Sequence, residues 1–337
     1  MLYVTTRDIH DVHTANKTLI SNISSDGGLY LPRNMPQFTS DQIAQLLKKS
    51  FNDIFADILN LFFTEQSTGR DIDLFIGKNP AKTVSIGRKI LVAQAWHNPE
   101  RTYSYIENNL YRKLCKGATN DVPTQWLKIT ARMALIISLY GQLLQDGSLH
   151  SAQSLDIAVD ADDSVTAIAA FYAKQLGLPI GKLICGCDKT EALWDFIHLG
   201  ECNTASAPDG LLHILERLIY EVFGSDEVEN FIRTCQKRST YHIPDEAEYD
   251  LTESVFCAVV RNTRVASVIN SVYRTDDFLL DTCAARSFGA IQDYRAKTGS
   301  SNLTLLLSDN HPLKEADIIM KSTGLTQSTF LSKCRTV

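Results

Sequence analysis

The stretch LDIAVDADDSVTAIAAFYAKQLGLPIGKLICGC, residues 155–187, decides how the chain is read. LDIAVD is an apolar strand, and GKLICGC, from Gly181 to Cys187, is a second one. Between them Ser164 to Leu176 has the apolar spacing of a helix, which Gly177 stops. Strand, helix and strand in about thirty residues make a β-α-β unit, so the two strands run parallel. At the carboxyl end of the first strand, where open parallel sheets hold ligands, stand Asp160, Asp162 and Asp163, followed by Ser164. A phosphate cradle there would use glycines, which let the backbone wrap an anion and present its N–H groups. Carboxylates act against this, since two unit charges about 4 Å apart repel by roughly 4 kcal/mol at an effective dielectric of about 20. Two readings of the loop stay open. The acids are oxygen ligands for Mg²⁺ or another hard cation, or they are solvated and one caps the helix.

Outward from this unit the pattern continues as α/β. Leu2 to Thr5 is a short strand, and SSDGGLYLP (24–32) is a turn in which Asp26-Gly27-Gly28 supplies the φ > 0 positions. Apolar residues at 43, 46, 47, 51, 54, 55, 58, 59 and 61 give a helical period with room for a break near Ser50, and Thr39 or Ser40 is the N-cap. A strand over Lys89 to Ala95 leads through His97-Asn98-Pro99 to a helix from about Glu100 to Leu114, buried along Tyr103, Ile106, Leu110 and Leu114. CKGATNDVPTQ (115–125) is a loop before the long apolar helix WLKITARMALIISLYGQLLQ. Helices are expected at 189–199, 211–224, 225–235 and through all of 253–299. LTLLLSD (303–309) is a final strand, followed by the loop NHPLK and one or two short helices. The expected fold is an open, mostly parallel sheet with helices on both faces.

A formal net charge of −6 disfavours broad non-specific binding to nucleic acid or anionic membranes, and no Lys/Arg run exceeds two residues. No apolar stretch reads as the ~20 residues that a membrane span needs. The opening MLYVTTRDIHDVHTAN lacks a signal-peptide core, and the eight cysteines are scattered through apolar segments. These features lead to the expectation of a cytoplasmic protein with reduced, buried thiols.

Several collinear segments, from residue 1 to about 320, resemble the threonine synthase family, pyridoxal-phosphate (PLP) enzymes of the tryptophan-synthase-β-like fold, fold type II. SSDGGLYLP is similar to the family's Asp-Gly-Gly-Leu-Tyr turn. ITARMALIISLYGQLL resembles the helix that begins Ser-Ile-Asn-Trp-Ala-Arg, keeping Ala131 and Arg132. FYAKQLGLPIGKLICGCDKTEALWDFIHLGE resembles the helix, strand and helix after the cofactor-phosphate loop. SAPDGLLHILERLIYEVFG keeps Glu216 and Arg217 of a Ser-Asn-Phe-Glu-Arg segment, and LLLSDNHPLK keeps His311, Pro312 and Lys314 of a Thr-Ala-His-Pro-x-Lys strand end.

The departures fall where the resemblance would put the chemistry. The family holds PLP as a Schiff base in a loop reading His-Gly-Pro-Thr-x-Ala-Phe-Lys-Asp. Here WHNPERTYSY keeps His97 and Pro99, but Ser104 stands where the lysine should be, and a hydroxyl forms no imine. DADDS replaces the family's Ser-Gly-Asn-Phe-Gly phosphate loop, and the DPHTAV-like segment is reduced to TDDFLL. The small lobe that closes over substrate has no chain to build it, because a deletion near 115–127 leaves only a short link from Leu114 to Leu127. On this reading residues 1–80 are an N-terminal threonine-synthase-like α/β segment, and 81–337 are the large domain.

The resemblance therefore implies a degenerate threonine synthase-like pseudoenzyme with no catalytic residue, cofactor or metal. It would be kept in amino-acid metabolism as a binding, scaffolding or regulatory protein that takes a protein partner or a second copy of itself. The alternative is a repurposed, PLP-independent enzyme acting on an amino acid or a phosphorylated metabolite. Its cleft would be formed by His97, Arg101, Asp160, Asp162, Asp163, Ser164 and His311. Within it Arg101 and Arg132 could attract a small anion, and His97 could serve Ser104 as a base. The Cys185-x-Cys187 pair with Cys202 would need a fourth ligand to hold zinc.

Overall fold

The computed structural model describes residues 1–337 apart from 77–80, 95–102, 116–122, 151–152, 189–191, 208, 245–252, 309 and 337. Strand β1 (Leu2–Thr5) lies between β2 (His13–Thr14) and β3 (Tyr30–Pro32) in an antiparallel sheet, with helix α1 (Ala15–Ile20) between β2 and β3 in sequence. The turn before β3 forms as its residues require. Gly27 has φ +81°, and Asp26 accepts the Gly28 N–H at 2.7 Å and the Thr5 hydroxyl at 2.6 Å. The expected break at Ser50 separates α2 (Ser40–Leu46) from α3 (Phe51–Phe62), and α4 is Gly69–Ile76. Thr39 and Gln42 form a capping box on α2, and Ser50 caps α3.

The principal sheet contains β4 (Lys82–Ile86), β5 (Ile90–Gln94), β6 (Leu155–Asp160), β7 (Ile180–Cys187), β10 (Val255–Val259) and β11 (Leu303–Ser308). Its order is β10-β7-β6-β11-β5-β4, parallel except for β4. The small strands β8 (Glu201–Asn203) and β9 (Thr240–His242) pair separately. Between β5 and β6 run α5 (Tyr103–Leu114) and α6 (Gln125–Gln145), and α7 (Ser164–Gln175) is the crossover of the β-α-β unit. The other helices among the described residues are α8 (Ala192–Leu199), α9 (Asp209–Phe223), α10 (Ser225–Lys237), α11 (Asn262–Asp276), α12 (Thr282–Thr298), α13 (Ala316–Thr323) and α14 (Gln327–Thr336).

Two apolar cores follow from the period-2 alternation of β6 and β7. Ile157, Val159 and Cys185 join a cluster with α3, α6 and α7, whereas Ala158 and Ile184 join one with α11 and α12. Helix α6 is long and apolar enough to cross a bilayer, contrary to the sequence expectation, yet it is buried through most of its length as the central core helix.

Two strands of the principal sheet differ from the sequence reading. Val255–Val259 is an edge strand, not part of a helix, because a short apolar run has no period of its own and here pairs in register with Leu183–Cys187. Lys82–Ile86, unmarked in the sequence, is held as a hairpin partner of β5.

The N-terminal segment is tied down by the motif residues of α9. Glu216 accepts hydrogen bonds from the Thr6 hydroxyl and from Arg7 at 3.2 Å, and Arg217 donates to the Tyr30 carbonyl at 2.7 Å and to Gln125 at 3.2 Å. Trp126 donates to Tyr3 Oη at 3.2 Å, which in turn donates to the Phe62 carbonyl at 2.7 Å.

Gly186 lies where the backbone of α12 meets the sheet, since a Cβ there would fall 2.8 Å from the carbonyl carbon and oxygen of Arg286. Gly186→Ala should lower the unfolding free energy by about 1–3 kcal/mol in a urea titration with unchanged slope. A variant as stable as the parent would show that this helix–sheet contact is not tight.

Candidate functional site

The acidic turn after β6 is held from both faces of the sheet. On the α12 side Asp160, 5% exposed, forms an ion pair with Arg286 at 2.5 Å. Arg286 also stands 3.5 Å from Asp188 and 4.0 Å from Asp162, which is turned to solvent. Burial pushes the Asp160 carboxyl up to about 6, against the opposing pull of Arg286. Burial also works against the charge of Arg286, but Asp160 and Asp188 hold its guanidinium above the ordinary value.

On the other face Asp163 is the N-cap of α7, taking the Thr166 N–H at 3.2 Å and the Thr166 hydroxyl at 2.5 Å. Arg132 of α6 donates to Asp163 at 3.1 Å, to Thr166 Oγ1 at 2.8 Å and to Glu107 of α5 at 2.9 Å. Its guanidinium carbon lies 3.3 Å from the ring centroid of Tyr103. Arg132 is therefore engaged on every side by α5 and α7, where the sequence left it available to an anion.

The turn's own backbone is committed as well. Ala161 N–H donates to the Gly186 carbonyl at 2.8 Å, Asp162 N–H to Asp160 Oδ1 at 2.9 Å, and Asp163 N–H to the Asp160 carbonyl at 3.0 Å. Ser164, half-buried, opens α7. Ser104 is exposed in the first turn of α5, one residue from the tyrosine that stacks on Arg132. His97 and Arg101 lie outside the described residues, so neither is placed against Ser104.

His311 is buried at the end of β11. Its Nδ1 accepts the Leu313 N–H at 3.1 Å, and burial, reinforced by Lys314, lowers its pKa. It caps the short 3₁₀ turn Pro312–Glu315, whose Glu315 accepts from the Thr282 N–H at 2.7 Å. Nearby, Asp281 caps α12 and accepts the Ser308 hydroxyl at 2.7 Å.

The thiols group differently from the sequence expectation. Cys257 joins Cys185 and Cys187 in the sheet, and hydrogen bonds to both, together with burial, raise its pKa. Cys202 sits instead on β8. Among the described residues no group of three or more His, Cys, Asp or Glu side chains is arranged to hold a metal ion.

Sequence reasoning missed Arg286, Glu107, Thr166 and Asp188, which complete the pairing of the acids. It also missed Gln94 at the end of β5, whose buried Nε2 has no acceptor among the described residues. Only the acids carried a signal: a carboxylate at a buried strand end requires a cation from somewhere in the fold.

The Asp160 carboxyl titrates higher in the folded chain, at about 6, than the 3.8 of an unperturbed aspartate. The native state thus binds this proton more tightly, so the contribution is fully present below about pH 4 and is lost as pH rises through about 6. In a pH series of urea midpoints, Asp160→Asn should flatten that part of the profile, and an unchanged slope would sink the assignment. Arg286→Met should cost about 3–5 kcal/mol at neutral pH, and less near pH 5, because it leaves a buried carboxylate unpaired.

The sequence profile of the threonine synthase N terminus matches residues 2–78. The chain is 22% identical over 230 residues to threonine synthase of Corynebacterium glutamicum, a match covering 63% of this chain and 46% of that enzyme. It is 23% identical over 168 residues to threonine synthase-like 1 of Homo sapiens, covering 46% of this chain and 23% of that protein. The chain thus spans less than half the length of these two relatives. Threonine synthase of Pseudomonas aeruginosa aligns at 20% identity over 98% of this chain and 92% of its own. The fold is that of yeast threonine synthase (TM-score 0.79, 16% identity, 100% of this chain and 94% of the other). It is likewise that of the PLP-bound threonine synthase from Brucella melitensis (TM-score 0.78, 17% identity, 99% and 94%). Residues 2–78 are thus similar to the N terminus of threonine synthases, and the mostly parallel six-stranded fold of the chain is the one those enzymes have.

Proposed function

We propose that this chain is a threonine synthase-like pseudoenzyme that does not use PLP and is retained as a cytoplasmic binding or scaffolding protein. The observation that carries the reading is the state of the turn that the resemblance aligns with the family's phosphate loop. A phosphate dianion needs free N–H donors and positive potential. Here the N–H groups of Ala161, Asp162 and Asp163 are all satisfied within the chain, and two aspartates occupy the facing arginines. The residues present therefore do not fit the phosphate of PLP.

The amine side points the same way. By the resemblance, Ser104 stands at the position of the Schiff-base lysine. The nearest lysine on each side in sequence is bonded elsewhere: Lys113 pairs with Asp71 at 2.7 Å, and Lys89 donates to the Ser301 carbonyl at 3.0 Å. A binding role is supported by Leu2, Ile9, Val12, Ile20 and Ile23, large apolar side chains left exposed within the first 25 residues. The partner is a second copy of the chain or another protein.

Purified protein mixed with excess PLP should show no yellow band of lysine-bound cofactor. Borohydride should fix no PLP mass on any lysine, and phosphohomoserine should not be converted. A trapped PLP–lysine adduct or measurable turnover would overturn the reading. Light scattering over a concentration series, with Ile20→Lys as the comparison, reads self-association: a monomer at all concentrations assigns the apolar residues to a different protein.

A further inference from the structure

Helix α6 has polar residues towards both ends. Arg132 belongs to the acidic turn, and Gln142 lies ten residues further, about 15 Å along the axis. There the last turn of α6 meets the first turns of α3 and α4 around a cavity of 470 Å³. Gln145 donates to the Leu47 and Lys49 carbonyls, each at 2.8 Å, and so fixes one wall.

The lining is unbalanced towards acceptors. Asp53 takes the Ser50 hydroxyl on Oδ2 at 2.6 Å, which leaves Oδ1 without a donor among the described residues. That oxygen lies beside Gly69, where a Cβ would come within 2.2 Å of it. Asp73 receives the Asn52 amide on Oδ1 and, among the described residues, no donor on Oδ2. Gln142 Oε1 is buried and has no donor among the described residues, and bulk water does not supply one. On the same cavity Arg70 is exposed and makes no ion pair or hydrogen bond with a described residue.

An ammonium has three N–H donors, and Asp53 Oδ1, Asp73 Oδ2 and Gln142 Oε1 are acceptors without a donor among the described residues; a guanidinium takes a carboxylate in a two-pronged bond. From this match we propose that the cavity between α3, α4 and α6 binds a free α-amino acid. The ammonium sits on Asp53, Asp73 and Gln142, and the carboxylate on Arg70. Two aspartates against one arginine leave the cavity acidic, so a cationic side chain is preferred over an anionic one. The site shares no residue with the acidic turn and does not depend on how that turn is read.

The test is thermal stabilisation of the full chain by L-lysine, glycine and L-glutamate, with methylammonium and acetate as half-ligand controls. L-lysine should give a saturable shift, glycine a smaller one, L-glutamate the least and the two half-ligands none. Arg70→Ala removes an exposed side chain that has no bond to a described residue. It should leave the unliganded melting temperature unchanged and weaken L-lysine by about tenfold or more. Asp73→Asn should weaken it similarly. If that variant unfolds, Arg70→Ala decides alone. The proposal is overturned by the absence of a saturable shift up to about 20 mM L-lysine, by undiminished binding in Arg70→Ala, or by an equal effect of methylammonium or acetate alone.

Discussion

A carboxylate walled off from water at the end of a buried strand has to meet a cation, and Asp160 meets Arg286 at 2.5 Å. Asp163, three residues on, meets Arg132 at 3.1 Å. The two arginines come from opposite layers, Arg286 from α12 and Arg132 from α6, so the turn between β6 and α7 is clamped from both faces of the sheet. Such pairs add little stability compared with apolar residues of the same shape, but losing one partner costs several kcal/mol, about 3–5. Their effect is to fix geometry: α5 follows Arg132 through Glu107 and Tyr103, and α12 is held against Gly186 by Arg286.

The same pairing decides what the turn can attract. An anion-binding turn offers unsatisfied N–H groups and a positive field, and the arginines by themselves would supply the field. The aspartates take up both guanidiniums and, through Asp160, two of the turn's N–H groups. In charge the turn is self-occupied. The cost of bringing acids together is offset because each faces a different arginine, while the third, Asp162, stays in water.

The parallel unit over 155–187 was legible because its period changes from two to 3.6 and back within one stretch, and the caps at Thr39 and Ser50 were legible from residue type. Val255–Val259 was not, because five apolar residues at a sheet edge look the same in a helix. At the site the acids were legible and their partners were not. Arg286 lies 126 residues from Asp160, in a helix whose pattern marks only its apolar face. No local spacing encodes that distance; it exists only once β6, β7 and α12 are packed.

The residues that carry the family resemblance divide by where their partners are. Asp26, Gly27 and Gly28 satisfy the N-terminal turn, Glu216 and Arg217 tie down Thr6, Arg7 and Tyr30, and His311 caps the turn after β11; each partner is in the chain itself. The positions that differ, Ser104 and the DADDS turn, are those that the resemblance places against the family's cofactor. Residues bonded within a fold are constrained for as long as the fold is needed, whereas residues bonded to a ligand are constrained only while the ligand is used. A likeness carried by the first kind is evidence about architecture.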